Sequence, residues 1–99
     1  MRHVLTLLEL TPEDIGQIFQ LTKELKDQFL GGSRQPILPG RVQALLFEKP
    51  SLRTRVSFEA AMAHLGGTTL FLGQEVGWGK RESANDFGQV ISQYVDVVI

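Results

Sequence analysis

Val42-Gln43-Ala44-Leu45-Leu46-Phe47-Glu48, followed by Lys49-Pro50-Ser51 and then by Leu52 to Gly67, is the stretch whose reading decides the fold. The first seven residues are mostly apolar and of strand length, which fits a parallel strand covered on both faces. Lys49-Pro50-Ser51 breaks the run. Arg53 to Leu65 then reads as a helix, with Val56, Ala60 and Ala63 on one side and Phe58, Met62 and Leu65 nearby. Gly66-Gly67 closes that helix, and Thr68 to Leu72 reads as a second short strand.

Upstream, Thr11-Pro12-Glu13-Asp14 is a helix start. Thr11 can cap, Pro12 suits the first helical position, and the two acids face the positive helix end. Ile15, Ile18, Thr22, Leu25 and Phe29 keep helical spacing and predict one buried stripe. Gly31-Gly32 ends the helix, and Ser33 to Gly40, with two prolines, reads as a loop.

Downstream, the glycine-rich run Gly73 to Lys80 reads as a loop. Ser83 to Tyr94 reads as a third helix with Phe87, Val90, Ile91 and Tyr94 as its apolar stripe, and Val95 to Ile99 as a third strand. This alternation predicts the α/β class: a parallel sheet with helices on both faces. No internal repeat or linker divides the chain, so residues 1–99 read as one domain. The closing β-branched run reads as an interior strand cut at its end, so the chain is expected to be the N-terminal part of a longer protein.

Composition sets the class. The chain has 99 residues, 10 Lys plus Arg against 11 Asp plus Glu, and a formal net charge of −1. A nucleic-acid binder would need a basic surplus. There is no Cys, which excludes disulfides and thiolate metal sites. His3 and His64 are the only imidazoles, too few for an expected metal site. No apolar run approaches the roughly 18 residues of a membrane helix, and MRHVLTLLEL turns acidic too soon for a signal peptide. The sequence thus reads as a soluble intracellular protein with neither a nucleic-acid nor a membrane partner.

In open parallel sheets ligands bind beyond the carboxyl ends of strands. The first such end here is Phe47-Glu48-Lys49-Pro50-Ser51-Leu52-Arg53-Thr54-Arg55. Ser51 falls where the next helix begins, and there free backbone N–H groups meet the positive end of the helix dipole. Ser51 and Thr54 add hydroxyls. Arg53 and Arg55 add forked cations suited to phosphate or carboxylate oxygens. The combination fits an anion, above all a phosphate group. It is not a P-loop, since no Gly-Lys-Ser/Thr is present. On the plain structural alternative, Ser51 is an N-cap and Arg55 pairs with Glu59 or Glu48.

Read whole, FEKPSLRTRVSFEAAMAHLGG resembles the carbamoyl phosphate motif of the aspartate/ornithine carbamoyltransferase family. The family pattern Phe-Glu-x-x-Ser-x-Arg-Thr-Arg-x-Ser-Phe-Glu is matched from Phe47 to Glu59. The Glu-Lys before the serine looks more like the ornithine branch. ESANDFGQVISQYVDVVI resembles the family's later segment, so the likeness runs through the whole chain but covers only the first part of a typical member. It implies that residues 1–99 are the N-terminal part of a carbamoyl phosphate-binding domain. It further implies that Ser51, Leu52 (through its backbone N–H), Arg53 and Thr54 bind carbamoyl phosphate. Arg53 would act catalytically by balancing charge on the leaving phosphate. Arg55 is expected to brace the loop through Glu59 or Glu82.

Two departures are visible. Leu52 stands where members often carry Thr or Gly, and Phe87 where many carry Thr; packing is the expected role of Phe87. In the family the loop at Gln74 to Arg81 reaches a neighbouring subunit. Gly77 occupies the position where ornithine enzymes often have Gln; Gln74 could replace it only with a gap, and Lys80 and Arg81 are the basic inter-subunit candidates. A solvated loop tip is the alternative, and Trp78 reads either as an interface plug or as a cover. His64 and His3 read as surface residues.

The resemblance implies transfer of a carbamoyl group to the side-chain amine of ornithine, giving citrulline, in arginine biosynthesis. It also implies a cytoplasmic homotrimer that needs no cofactor, with the 99-residue piece inactive alone. Two alternatives stay open: a sister transferase acting on aspartate, putrescine or an acylated ornithine, and a non-catalytic phosphate-binding module.

Overall fold

The computed structural model describes residues 2–73 and 83–99. Gln74, Gly77, Trp78, Lys80, Arg81 and Glu82 lie outside the described residues, and so do the expectations attached to them. The chain divides into two compact units, Met1–Arg34 and Gln35–Ile99.

The first unit holds a 3-10 turn at Leu7–Glu9 and helix α1 at Pro12–Leu30. Its start is capped as the sequence predicts. The Thr11 hydroxyl accepts from the Asp14 N–H at 3.1 Å, and the Asp14 carboxylate accepts from the Thr11 N–H at 2.9 Å. This reciprocal box satisfies two N–H groups that have no partner inside the helix. Arg2 also donates to that carboxylate at 2.9 Å. The Arg2 hydrogen bond, then that of the Thr11 N–H, lower the Asp14 pKa from 3.8 to about 2. The expected buried stripe of α1 is not buried: Ile15, Ile18 and Phe29 are 36%, 48% and 38% exposed. Within its unit, the only other element is a three-residue turn, too small to cover a 19-residue helix.

The second unit runs β1 (Val42–Leu46), α2 (Leu52–His64), β2 (Thr68–Leu72), α3 (Ala84–Ile91) and β3 (Val97–Val98). All three strands are parallel, in the order β2-β1-β3. This is the expected α/β class, a parallel sheet with helices. Gln43, Ala44 and Leu45 are consecutive and all buried. Successive strand residues point to opposite faces, so both faces of β1 are covered. The buried Gln43 amide donates to the Phe58 carbonyl of α2 and to the Thr69 hydroxyl of β2, both at 2.8 Å. One side chain thus joins three elements.

α2 packs against β2. Its inward side is Arg55, Phe58, Glu59 and Met62, while Val56 is half exposed. The turn after α2 needs glycine. Gly66 has φ +93°, and a Cβ there would lie 2.8 Å from the Pro36 Cβ. At Gly67 a Cβ would strike the Met62 sulfur and the Arg41 carbonyl.

Two boundaries differ from expectation. α3 stops at Ile91 rather than Tyr94, because the chain tightens into shorter turns: the Gln93 N–H bonds to the Val90 carbonyl and that of Tyr94 to the Ile91 carbonyl. Tyr94, beyond the helix, is exposed, and so is Val90 within it; Phe87 is the buried member of the stripe, in keeping with its expected packing role. β3 is shorter than the expected Val95 to Ile99, spanning Val97–Val98; its one sheet neighbour among the described residues is β1, and both valines are over two-fifths exposed. It is tied down at its start. Asp96 accepts from the Val42 N–H at 2.9 Å and from Arg41 at 3.1 Å. These bonds, the Val42 N–H foremost, hold the Asp96 carboxyl below the usual carboxylate range.

Candidate functional site

β1 is the central strand: the chain passes from it to β2 on one side, then crosses back from β2 to β3 on the other. Ligand crevices in such sheets lie beyond the carboxyl ends of the strands, where the strand order reverses. A cleft of about 360 Å³ opens there, lined by residues 47–52, Arg55, Phe71 and Gly73.

Ser51 and Leu52 line this cleft. Ser51 occupies the N-cap position of α2, but its hydroxyl makes no cap bond. It donates instead to the Thr54 Oγ1 at 2.8 Å. Leu52 is the first residue of α2 and is 75% exposed. The N–H groups of Leu52, Arg53 and Thr54 have no hydrogen-bond partner among the described residues. Such a first turn, with its dipole, favours an anion.

Arg53 and Thr54 are exposed and stand outside the cleft wall. The Arg53 guanidinium has no partner among the described residues. Its carbonyl accepts from the Ser57 hydroxyl at 2.7 Å, a bond that stiffens the first turn of α2.

Arg55 pairs with Glu59 as expected, Nε to Oε1 at 3.3 Å. The sequence reading missed its second support. The Arg55 guanidinium carbon lies 3.7 Å from the centre of the Phe71 ring. Phe71 in turn meets Phe47 edge-to-face, with centroids 5.8 Å apart. Arg55 is thus held between a carboxylate and an aromatic face. An aromatic residue near the end of β2, beside a strand followed by Phe47, was the available signal.

His64 is the last residue of α2, at the opposite end from Ser51, and His3 is exposed. Among the described residues no group of three His, Asp or Glu could hold a metal ion. No helix of the described residues is long and apolar enough to cross a membrane.

A family model described as "Aspartate/ornithine carbamoyltransferase, carbamoyl-P binding domain" matches residues 2–99. An ornithine carbamoyltransferase from Wolinella succinogenes is 43% identical over 100 residues, covering 100% of this chain and 33% of that protein. The solved ornithine carbamoyltransferase of Pyrococcus furiosus superposes with a TM-score of 0.94 at 42% identity, over 98% of this chain and 31% of that one. The catalytic subunit of M. jannaschii aspartate transcarbamoylase gives 0.86 at 31% identity, over 99% of this chain and 33% of that one. The chain spans about a third of the length of the curated relatives it matches.

Proposed function

The chain belongs to the aspartate/ornithine carbamoyltransferase family, and we propose that it is the carbamoyl phosphate-binding part of an ornithine carbamoyltransferase. The observation that carries this reading is the placement of the Phe47 to Glu59 motif. It spans the carboxyl end of the central strand, a cleft and the first turn of α2, whose N–H groups have no partner among the described residues.

In the proposed reaction the side-chain amine of ornithine attacks the carbamoyl carbon. The new C–N bond forms, the C–O bond to phosphate breaks, and phosphate leaves with the electron pair while the amine gives up a proton. Ser51, Thr54 and the N–H groups at Leu52 hold the phosphate oxygens. Arg53, which has no side-chain partner among the described residues, swings onto the bridging side and offsets the growing negative charge. Positioning and charge stabilisation are the protein's whole task in such a transfer, so no cofactor is invoked. Residues 1–99 serve as the N-terminal part of the carbamoyl phosphate domain. The whole protein is proposed to act as a cytoplasmic homotrimer in arginine biosynthesis, with Lys80 and Arg81 as candidate inter-subunit residues.

The ornithine choice is supported by relatives named ornithine carbamoyltransferase at 43% and 44% identity. The deciding experiment is a carbamoylation assay of the full-length protein with ornithine, aspartate and putrescine. Citrulline formed from ornithine alone is expected. Turnover of another amine replaces the acceptor, and binding of carbamoyl phosphate without turnover of any amine replaces catalysis with a binding role.

A further inference from the structure

We propose that Phe71 is a positioning residue for the anion-binding loop, anchoring both ends of that loop on one aromatic ring. The inference rests on reading the cleft as the carbamoyl phosphate site. The loop leaves β1 at Phe47 and enters α2 through Ser51 to Arg55. Its first end meets the ring edge-to-face at 5.8 Å, a favoured aromatic geometry. Its second end meets the ring face, where the Arg55 guanidinium lies at 3.7 Å, drawn there by the ring's negative face.

The ring itself sits on the neighbouring strand. Phe71 is in register with Leu45, and the Phe47 N–H bonds to the adjoining Leu72 carbonyl at 3.3 Å. Arg55 passes the constraint on, because its backbone N–H bonds to the Ser51 carbonyl at 2.9 Å. Glu59 takes the Nε edge of the guanidinium. The two terminal NH2 groups have no partner among the described residues. They stay at the cleft wall, where they add positive charge without closing the first turn to an anion. A leucine at Phe71 would keep apolar cover but remove the face that orients Arg55.

The test uses the full-length protein and reads kcat, KM for carbamoyl phosphate and Tm for wild type, Phe71→Leu, Phe71→Tyr, Arg55→Gln and the Phe71→Leu/Arg55→Gln double variant. Phe71→Leu is expected to raise KM about five-fold, the size of one partly exposed cation–π contact. Its kcat should change by less than about two-fold, the pattern of lost ground-state binding. Phe71→Tyr, which retains the face, should bring KM back to within about two-fold of wild type. The effect of the double variant should fall well short of the sum of the two single effects, since the contact between the ring face and Arg55 is lost only once. An unchanged KM in Phe71→Leu, a Tyr variant as weak as the Leu variant, or additive effects would each overturn the proposal. Should Phe71→Leu lose its thermal transition, Phe71→Tyr decides: a restored KM supports the ring, and a raised one refutes it. Wild type is measured first. Wild type that does not bind carbamoyl phosphate removes the proposed function and this inference together, whereas an active wild type with an indifferent Phe71 removes the inference alone.

Discussion

The Ser51 hydroxyl donates to the Thr54 Oγ1 at 2.8 Å, so the two hydroxyls at the mouth of α2 satisfy each other rather than the helix backbone. In the proposed function an arriving phosphate takes both as donors and must first part them. Ser51→Ala in the full-length protein is therefore expected to raise KM for carbamoyl phosphate about ten-fold, the loss of one bond to a charged group. Its stability should fall by less than about 0.5 kcal/mol, below the usual cost of losing an N-cap. A full capping loss in a denaturant melt, with KM unmoved, would make Ser51 a purely structural residue.

Arg53→Ala should act differently. A cation placed against developing negative charge lowers the barrier, and removing such a donor costs about 100- to 1,000-fold in turnover. Single-turnover kinetics on the full-length variant would measure it. Near-normal rates would take Arg53 out of the catalytic role.

Gly66→Ala should lower stability by about 2 kcal/mol, from its left-handed backbone alone. Contact with the Pro36 Cβ at 2.8 Å adds to that. Thermal unfolding of the variant beside wild type checks the figure, and an unchanged Tm would contradict the tight turn.

Asp14 should titrate near 2 in the folded chain, against 3.8 ordinarily. A lowered folded pKa means that its contribution is complete above 3.8 and fades as pH falls toward about 2. Carboxyl NMR of Asp14 over that range checks the midpoint. Arg2→Ala should move it upward, because the Arg2 hydrogen bond is the larger cause.

The elements of the second unit were legible because each carries a local signal. β1 is apolar without alternation, Gly66-Gly67 marks a turn, and Ser83 caps α3 by accepting from the Asp86 N–H. The inward side of α2 was not legible. Its apolar residues scatter around the helix, and the half-buried positions include Arg55 and Glu59, which sequence places in water by default. The same blindness hid Phe71, whose partner lies sixteen positions back and is charged. α1 erred in the other direction: its periodicity was read correctly as a helix, but periodicity says which side wants cover, not whether its own unit supplies it.

The buried amide of Gln43 has a further consequence, for folding fidelity. Gln43 stands opposite Thr69 in the β1–β2 register, and the threonine supplies one of its two acceptors. Apolar strands slide past one another at little cost as long as the same faces stay inward, which a shift of two residues allows. Here such a slip would set the amide against Gly67 or Phe71, neither of which carries a side-chain acceptor, and would take the threonine hydroxyl away from it. The amide therefore proofreads the alignment of the two strands, because only the register that sets Gln43 opposite Thr69 gives it that hydroxyl.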